Sequence, residues 1–285
     1  MVKIAILLLF LSVSFLNAEK LQVIASFNII ADIAKNVAKD SADVQSLTKL
    51  GTEIHSYEPT PKDILRARKA DIILFNGLNL ETWLSKFLDR TKKPSYDISS
   101  GVSVIYADEN SLIPNPHAWM SLKNGEIYVR NIQKIFSRHD PKNSEIYAKN
   151  ADEYIQRLRN LDILFKNMLS GVQNRYLVTS EGAFSYLARD YDLKELYIWG
   201  INSDEEGTTR QIKDLIDKVK FYQIPVIFSE STISPKPAKT VANESGAKYG
   251  GVLYVDSLSK DIDTYEKMLE TTILTIESGF KDAKN

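Results

Sequence analysis

One long segment without proline or glycine, residues 143–169, limits the folds open to this chain more than any other feature. Its larger apolar side chains recur near a helical period, with charged residues between them: Tyr147, Tyr154, Leu158, Leu161, Leu164 and Leu169. At roughly 1.5 Å per residue, the predicted helix is about 40 Å long. A helix of that length can run along two separate lobes, and we expect it to connect them.

Short apolar runs alternate with segments of helical period on both sides of this helix. Strands are predicted at 21–26, 44–47, 71–75, 175–180, 196–199, 225–230 and 251–255, and helices at 29–39, 80–89 and 125–137. This alternation indicates an α/β fold with mostly parallel sheets. We predict two Rossmann-like lobes, at 19–140 and 172–285, with a linking backbone helix at 141–171 and a cleft between the lobes.

The first residues have the pattern of a secretory signal peptide. Lys3 precedes an apolar run at 4–16, which is too short for a bilayer span of roughly 20 residues. We expect residues 1–18 to be a signal peptide cut after Ala18. The chain contains no cysteine, so it has no disulfide and no lipobox cysteine. These observations predict a free protein in a bacterial periplasm, without a lipid anchor. The formal net charge of −1 argues against a nucleic-acid partner.

His55 lies in the stretch GTEIHSYEPTPKD, between a predicted strand and a helix with strong start signals. Thr60 is a suitable N-cap, Pro61 suits the first turn, and Asp63 occupies the third helical position. In open α/β sheets, ligands bind at the loops beyond the carboxyl ends of strands. His55 is therefore a candidate ligand-binding residue, although a solvated loop histidine would have the same sequence context.

Three further residues occupy comparable positions. His117, in IPNPHAWM, is held by nearby prolines beside Trp119; Glu181 and Asp256 each follow an apolar strand. Taken singly, each has an ordinary explanation, such as packing on a tryptophan, a favourable charge at a helix start, or a cap. Taken together with His55, they place two imidazoles in the first half and two carboxylates in the second. This set predicts a divalent metal site, and its carboxylates favour harder ions such as Mn²⁺ or Fe²⁺. The third histidine, His139, is predicted to lie on the surface.

Five motifs carry a resemblance to a known family: GTEIHSYEPTPKD, ADIILFNGLNLETWL, NPHAWM, TSEGAFSYLARDY and VDSLS. They resemble the metal-binding solute receptors of ABC-type manganese and zinc importers (cluster A-I), from about residue 21 to the C-terminus. The resemblance implies two α/β lobes joined by one rigid helix, with a metal ion held between them and handed to an ABC permease in the inner membrane.

The same resemblance assigns metal-ligand roles to four positions. His55 and His117 match the N-lobe ligands, and Glu181 and Asp256 match the C-lobe pair. Zinc importers usually have histidine at the position of Glu181 and often a histidine-rich loop before the second ligand. The corresponding segment here, YADENSLIPNP, contains no histidine. Both features favour Mn²⁺ as the transported ligand, although Zn²⁺ binds most nitrogen and oxygen sites more tightly and Fe²⁺ is also compatible.

Other functions are weighed against this one. A zinc-specific receptor is the nearest alternative. A secreted metal-dependent hydrolase would be expected to carry a motif such as H-E-x-x-H, which the chain lacks; an adhesin would need an adhesive surface that no motif marks. We therefore expect a monomeric receptor with no enzymatic activity and no catalytic residues. Each imidazole also needs a partner that orients it, and the motifs place Tyr57, Trp119 and Glu230 near the site.

Overall fold

The computed structural model describes residues 19–107, 112–201 and 207–283. The predicted signal peptide lies outside the described residues. The α/β fold with parallel sheets and one long helix is confirmed, and the boundaries of the lobes at 19–140 and 172–285 stay a prediction. For description, these two ranges are called the N-terminal half and the C-terminal half.

The N-terminal half is built on a four-stranded sheet. Its elements are β1 (Leu21–Ala25), α1 (Asn28–Ala38), β2 (Ala42–Ser46), α2 (Pro61–Lys69), β3 (Ile72–Phe75), α3 (Leu84–Thr91), β4 (Ser95–Asp97) and α4 (Leu122–His139). The strand order is β2-β1-β3-β4, and all neighbours are parallel. Val23 on the central strand pairs with Val44 and Ile72, so the apolar strand residues align across the sheet. Parallel pairing places every strand's carboxyl end at one edge.

The helix α5 (Ser144–Leu169) packs against α1 and α4, and also against the C-terminal helix α9 (Tyr265–Asp282). Its buried face includes Tyr147, Tyr154 and Leu158, as its periodicity predicts. Leu164 differs from the prediction, because it is exposed and Phe165 takes the buried place. The helix therefore contacts helices from both halves of the chain.

The C-terminal half contains two pairs of parallel strands. Its elements before α9 are β5 (Tyr176–Glu181), α6 (Ser185–Asp190), β6 (Lys194–Trp199), α7 (Thr209–Phe221), β7 (Val226–Glu230), α8 (Lys236–Ser245) and β8 (Lys248–Leu253). β5 pairs with β6, and β7 pairs with β8. β5 and β7 also lie next to each other, so the carboxyl ends of both pairs face the same region.

Four local features differ from the prediction. The helix predicted at 80–89 begins at Leu84, because the buried Glu81 side chain accepts hydrogen bonds from the Asn76 and Gly77 amides and holds this part of the chain in a turn. The last strand ends at Leu253, before the predicted position. Two shorter features were also misjudged: β4 was not predicted, and His139 is half-buried, with Nε2 2.6 Å from the Tyr96 hydroxyl.

Direct hydrogen bonds join the two halves. The Asn28 side chain donates to Ser257 Oγ at 2.8 Å and accepts from the Leu258 amide at 2.8 Å. The Gly51 amide donates to the Leu258 carbonyl at 2.9 Å. One turn further along α1, the Tyr265 amide donates to Asp32 Oδ2 at 2.9 Å. None of these atoms belongs to His55, His117, Glu181 or Asp256.

Within the described residues, no helix combines the length and the apolar character needed to cross a membrane.

Candidate metal centre

The structure brings the four predicted site residues together. The Nε2 atoms of His55 and His117 are 3.0 Å apart. Asp256 Oδ1 lies 3.5 Å from His117 Nε2 and 3.7 Å from His55 Nε2, and Glu181 Oε1 lies 3.9 Å from both nitrogens. All four potential ligand atoms lie within 4.8 Å of one another. Two nitrogens from the N-terminal half thus face two carboxylate oxygens from the C-terminal half.

The spacing of these atoms suits a transition metal ion. Metal–ligand bonds of about 2.1 Å in a regular tetrahedron place the ligand atoms about 3.4 Å apart. The measured separations between nitrogens, and from nitrogens to oxygens, lie on both sides of that value. Each carboxylate also has a second oxygen, which permits coordination numbers above four. The donor set can therefore hold either a tetrahedral ion or a larger ion with more ligands.

His55 is presented by the loop between β2 and α2. The start of α2 is stabilised by the predicted capping box, in which the Thr60 hydroxyl accepts from the Asp63 amide and Asp63 Oδ2 accepts from the Thr60 amide. The Tyr57 hydroxyl also donates to Asp63 Oδ2, at 2.9 Å. At the start of the loop, the His55 amide donates to Glu53 Oε1 at 3.0 Å. The side chains of this loop are therefore tied to a capped helix.

His55 is also the most exposed of the four candidate ligands. Its side chain is 15% exposed, whereas that of His117 is fully buried. A cavity of about 600 Å³ borders His55 and includes Tyr57 and Trp83 in its wall. His55 Nδ1 makes no hydrogen bond to any residue in the described ranges. This imidazole is the only one of the four side chains that adjoins a large solvent cavity.

His117 lies at the start of a short 3₁₀ turn, Ala118–Met120. Its Nδ1 is 2.8 Å from Asn115 Oδ1, and its ring centroid is 5.2 Å from that of Trp119. Burial lowers the pKa of His117 and outweighs the opposing effect of Asp256, which raises it. The imidazole is therefore neutral, which is the form that binds a cation.

Glu181 is the last residue of β5, and its backbone is held by a second acid at the end of β7. Glu230 Oε1 accepts hydrogen bonds from the Ser180 amide at 3.0 Å and from the Glu181 amide at 3.1 Å. Burial raises the pKa of Glu230 to about 8, and the charge of Glu181 contributes to that rise. Glu230 is therefore protonated at neutral pH and adds no third negative charge to the site.

Asp256 lies three residues beyond the end of β8 rather than directly after the strand, so that detail of the prediction was wrong. The Trp119 indole donates to the Val255 carbonyl at 2.8 Å, which fixes the backbone next to Asp256. Burial alone would raise the pKa of Asp256, but the two imidazoles hold it well below its usual range. Burial likewise opposes a charge on His55, yet Asp256 and Glu181 raise the pKa of His55 to about 10. A cation entering this site must displace a proton from His55.

Sequence reasoning named three neighbours of the site and missed a fourth. Glu230 accepts from the Glu181 amide, and Trp119 donates to the Val255 carbonyl beside Asp256. Tyr57 binds Asp63 rather than a candidate ligand. The residue missed is Asn115, which contacts His117 directly. Its place two residues before a histidine, across a proline, is the only sequence signal that it offered.

Comparisons with known proteins identify the family of this chain. The model of the ZnuA family, described as "Zinc-uptake complex component A periplasmic", matches residues 23–279. The iron-binding protein YfeA of Yersinia pestis is 49% identical over 272 residues, covering 93% of this chain and 88% of that protein. PsaA of Streptococcus mitis, a manganese ABC transporter substrate-binding lipoprotein, is 38% identical over 278 residues, covering 92% and 90%.

A solved structure of a Mn-bound periplasmic metal binding protein from Candidatus Liberibacter asiaticus superposes with a TM-score of 0.86. Its sequence is 41% identical, and the alignment covers 92% of this chain and 100% of that one.

Proposed function

The chain belongs to the ZnuA family of periplasmic metal-uptake components, and from that premise we propose that it captures Mn²⁺ between its two halves and delivers the ion to an ABC permease. His55, His117, Glu181 and Asp256 are the proposed ligands. The metal ion is the cargo of the protein and not a catalytic cofactor. The family consists of substrate-binding receptors, and a site in which four side chains bind the ion leaves little room for an activated water molecule.

One observation carries this proposal. Two imidazole nitrogens and two carboxylate oxygens, contributed by four separate segments of the chain, converge within 4.8 Å. Side chains of this kind are seldom buried together without a partner, because burying charged groups costs free energy unless a counter-charge compensates it. A divalent cation supplies that compensation for the two carboxylates. The site is thus suited to a cation that enters and leaves, with a proton on His55 in its place.

Glu181 supports manganese as the cargo. Its second oxygen can raise the coordination number above four, which suits Mn²⁺ better than a closed tetrahedral site does. The names of similar proteins point to manganese and iron, since PsaA is named for manganese and YfeA for iron. The 3.0–3.9 Å spacing of the ligand atoms also fits tetrahedral Zn²⁺. Zinc transport is therefore the second candidate, and separate titrations with Mn²⁺ and Zn²⁺ distinguish the two functions.

The partner that follows from this function is a membrane permease. The family's periplasmic description places the protein outside the cytoplasm, and we propose that it meets the permease there as a monomer. Several relatives are named lipoproteins, so anchoring varies among similar proteins. Mass spectrometry of the exported protein would test the predicted cut after Ala18.

The test is a calorimetric titration of chelator-stripped protein with Mn²⁺, repeated with Zn²⁺. We expect one site per chain for each ion. Asp256→Asn should lower the affinity for Mn²⁺ by more than about 100-fold, which exceeds the usual effect of removing a residue that only supports a ligand. Asp140→Asn is the matched control, because Asp140 is also buried but binds the Tyr147 hydroxyl.

The outcomes separate the candidates. Mn²⁺ uptake at one site that Asp256→Asn abolishes and Asp140→Asn preserves supports the manganese receptor. Zinc binding without measurable manganese binding assigns the protein to zinc transport. If neither ion binds the unaltered protein, the proposed ligand set is wrong.

A further inference from the structure

Asn115 makes hydrogen bonds toward both halves of the protein and is 1% exposed. It lies in the segment between β4 and α4, two residues before His117. Its side-chain oxygen faces His117, and its side-chain nitrogen faces the loop that follows Glu181. The metal-binding function proposed above assigns no role to this residue.

The orientation of the Asn115 amide follows from partners whose roles are unambiguous. The His117 backbone N–H can only donate, and it lies 3.0 Å from Oδ1. The Gly182 carbonyl can only accept, and it lies 2.8 Å from Nδ2. Oδ1 is therefore the acceptor that lies 2.8 Å from His117 Nδ1. It follows that Nδ1 carries the ring proton, so the lone pair is on Nε2, which faces the other candidate ligands.

The opposite side of the amide binds the loop between β5 and α6. Besides the Gly182 carbonyl, Asn115 Nδ2 lies 3.1 Å from Ser185 Oγ. The Ser185 hydroxyl donates its own proton to Glu195, so it accepts from Asn115. Gly182 directly follows Glu181 in the chain. A single amide thus connects the ring of one proposed ligand with the backbone beside another, in the other half of the protein.

We propose that Asn115 is a positioning residue that holds His117 in its metal-binding tautomer and, at the same time, sets the distance between His117 and Glu181. This inference rests on the proposed function, because the distance matters only if both side chains bind the same ion. His55 has no equivalent, since its Nδ1 lacks a hydrogen bond within the described residues. Asn115 therefore makes one nitrogen ligand rigid relative to one carboxylate ligand.

Two substitutions distinguish the effect of Asn115 on the His117 tautomer from its effect on the distance between His117 and Glu181. Asn115→Leu keeps the approximate size but removes both the acceptor and the donors. Asn115→Asp keeps an acceptor for His117 Nδ1–H, but it places a carboxylate oxygen against the Gly182 carbonyl, where no proton is available for a hydrogen bond. Asn131→Asp is the control, because the Asn131 amide also donates two hydrogen bonds, in its case to the carbonyls of Ile98 and Ser100.

Three measurements test the proposal. Long-range ¹H–¹⁵N NMR on metal-free protein reports the tautomer of His117, and the chain has only three histidines to assign. Amide hydrogen exchange at residues 182–188, also without metal, reports the connection to the β5–α6 loop. Titration with Mn²⁺ reports the affinity. Because the first two need no metal, they test Asn115 even if the proposed function fails.

Asn115→Leu should lose the preference for the Nδ1–H tautomer and lower Mn²⁺ affinity by about 10- to 100-fold. Asn115→Asp should keep the tautomer, yet exchange the amides of 182–188 faster and bind Mn²⁺ about tenfold more weakly. Asn131→Asp should match the unaltered protein in all three measurements. Unaltered exchange and affinity in Asn115→Asp, or an unaltered tautomer in Asn115→Leu, would overturn the proposal.

Discussion

Replacing Glu195 with glutamine should remove a loss of stability that the protein suffers as the pH rises from about 5 to about 8. The Glu195 carboxyl group accepts hydrogen bonds from the Phe184 amide and the Ser185 hydroxyl at the start of α6. Burial nevertheless raises the pKa of Glu195 to about 7. The folded protein therefore holds a proton that the unfolded chain releases at lower pH.

The sign of the effect follows from that difference. Since the folded pKa is the higher one, the contribution of Glu195 to stability is complete below the unfolded pKa of about 4.3 and disappears as the pH rises through about 7. The full difference corresponds to about 4 kcal/mol in the free energy of unfolding. Because the residue as a whole is only half-buried, solvent screening reduces our expectation to about 2 kcal/mol.

The assay is urea unfolding of the chelator-stripped protein and of its Glu195→Gln variant, at about pH 5 and at about pH 8. Glutamine resembles the protonated acid in shape and hydrogen bonding, so the two proteins should have similar stabilities at about pH 5. At about pH 8, Glu195→Gln should be the more stable by about 2 kcal/mol. Other buried acids, such as Asp32, affect both proteins equally and cancel in the comparison. If the two proteins lose the same stability between the two pH values, Glu195 is ionised in the folded state and our reasoning is wrong.

Three further substitutions test the packing around the site, each by urea unfolding. Thr60→Ala should cost about 1 kcal/mol because α2 loses its N-cap, and an unchanged midpoint would contradict the importance of that cap. Gly125→Ala should cost about 1 kcal/mol in total: alanine favours the helix by about 1 kcal/mol, but its Cβ would lie 2.9 Å from the buried Tyr265 hydroxyl, and overpacking costs about 1–3 kcal/mol. A stabilised variant would show that the tyrosine moves freely. Phe165→Ala should cost about 3–5 kcal/mol, whereas the exposed neighbour Ile163→Ala should change stability by less than about 0.5 kcal/mol; equal effects would argue against the observed packing of α5.

The elements that present the site were predictable where local chemistry determines them. The Thr60–Pro61–Asp63 pattern specifies the start of α2, because an N-cap and a first-turn proline act within a few residues. Glu181 follows an apolar run that can only be a buried strand or a short helix, and the alternation around it selects a strand. The approach of the four side chains to one another was predicted from their expected places at the ends of strands, although only Glu181 ends a strand in the structure.

The structural features that could not be predicted from the sequence depend on contacts between residues that are far apart in the chain. Ser95–Asp97 forms a strand only because it pairs with β3, and its three residues show no period of their own. The exact place of Asp256 depends on where β8 stops pairing with β7. Asn115 offers little signal in the sequence, because asparagine before proline is common in turns. Only the fold brings Gly182 to its side chain, 67 positions further along the chain.

The heat capacity of metal binding depends on the hydrogen bonds that already join the two halves. These bonds connect Asn28 and Gly51 with residues 257–258, and Asp32 with Tyr265. A receptor whose lobes swing shut on their cargo removes apolar surface from water, which gives binding a large negative heat-capacity change. Here protein atoms outside the ligand set already join the halves. Uptake of an ion should therefore leave hydration of the apolar surface almost unaltered, and the measured binding enthalpy should stay nearly constant as the temperature is varied.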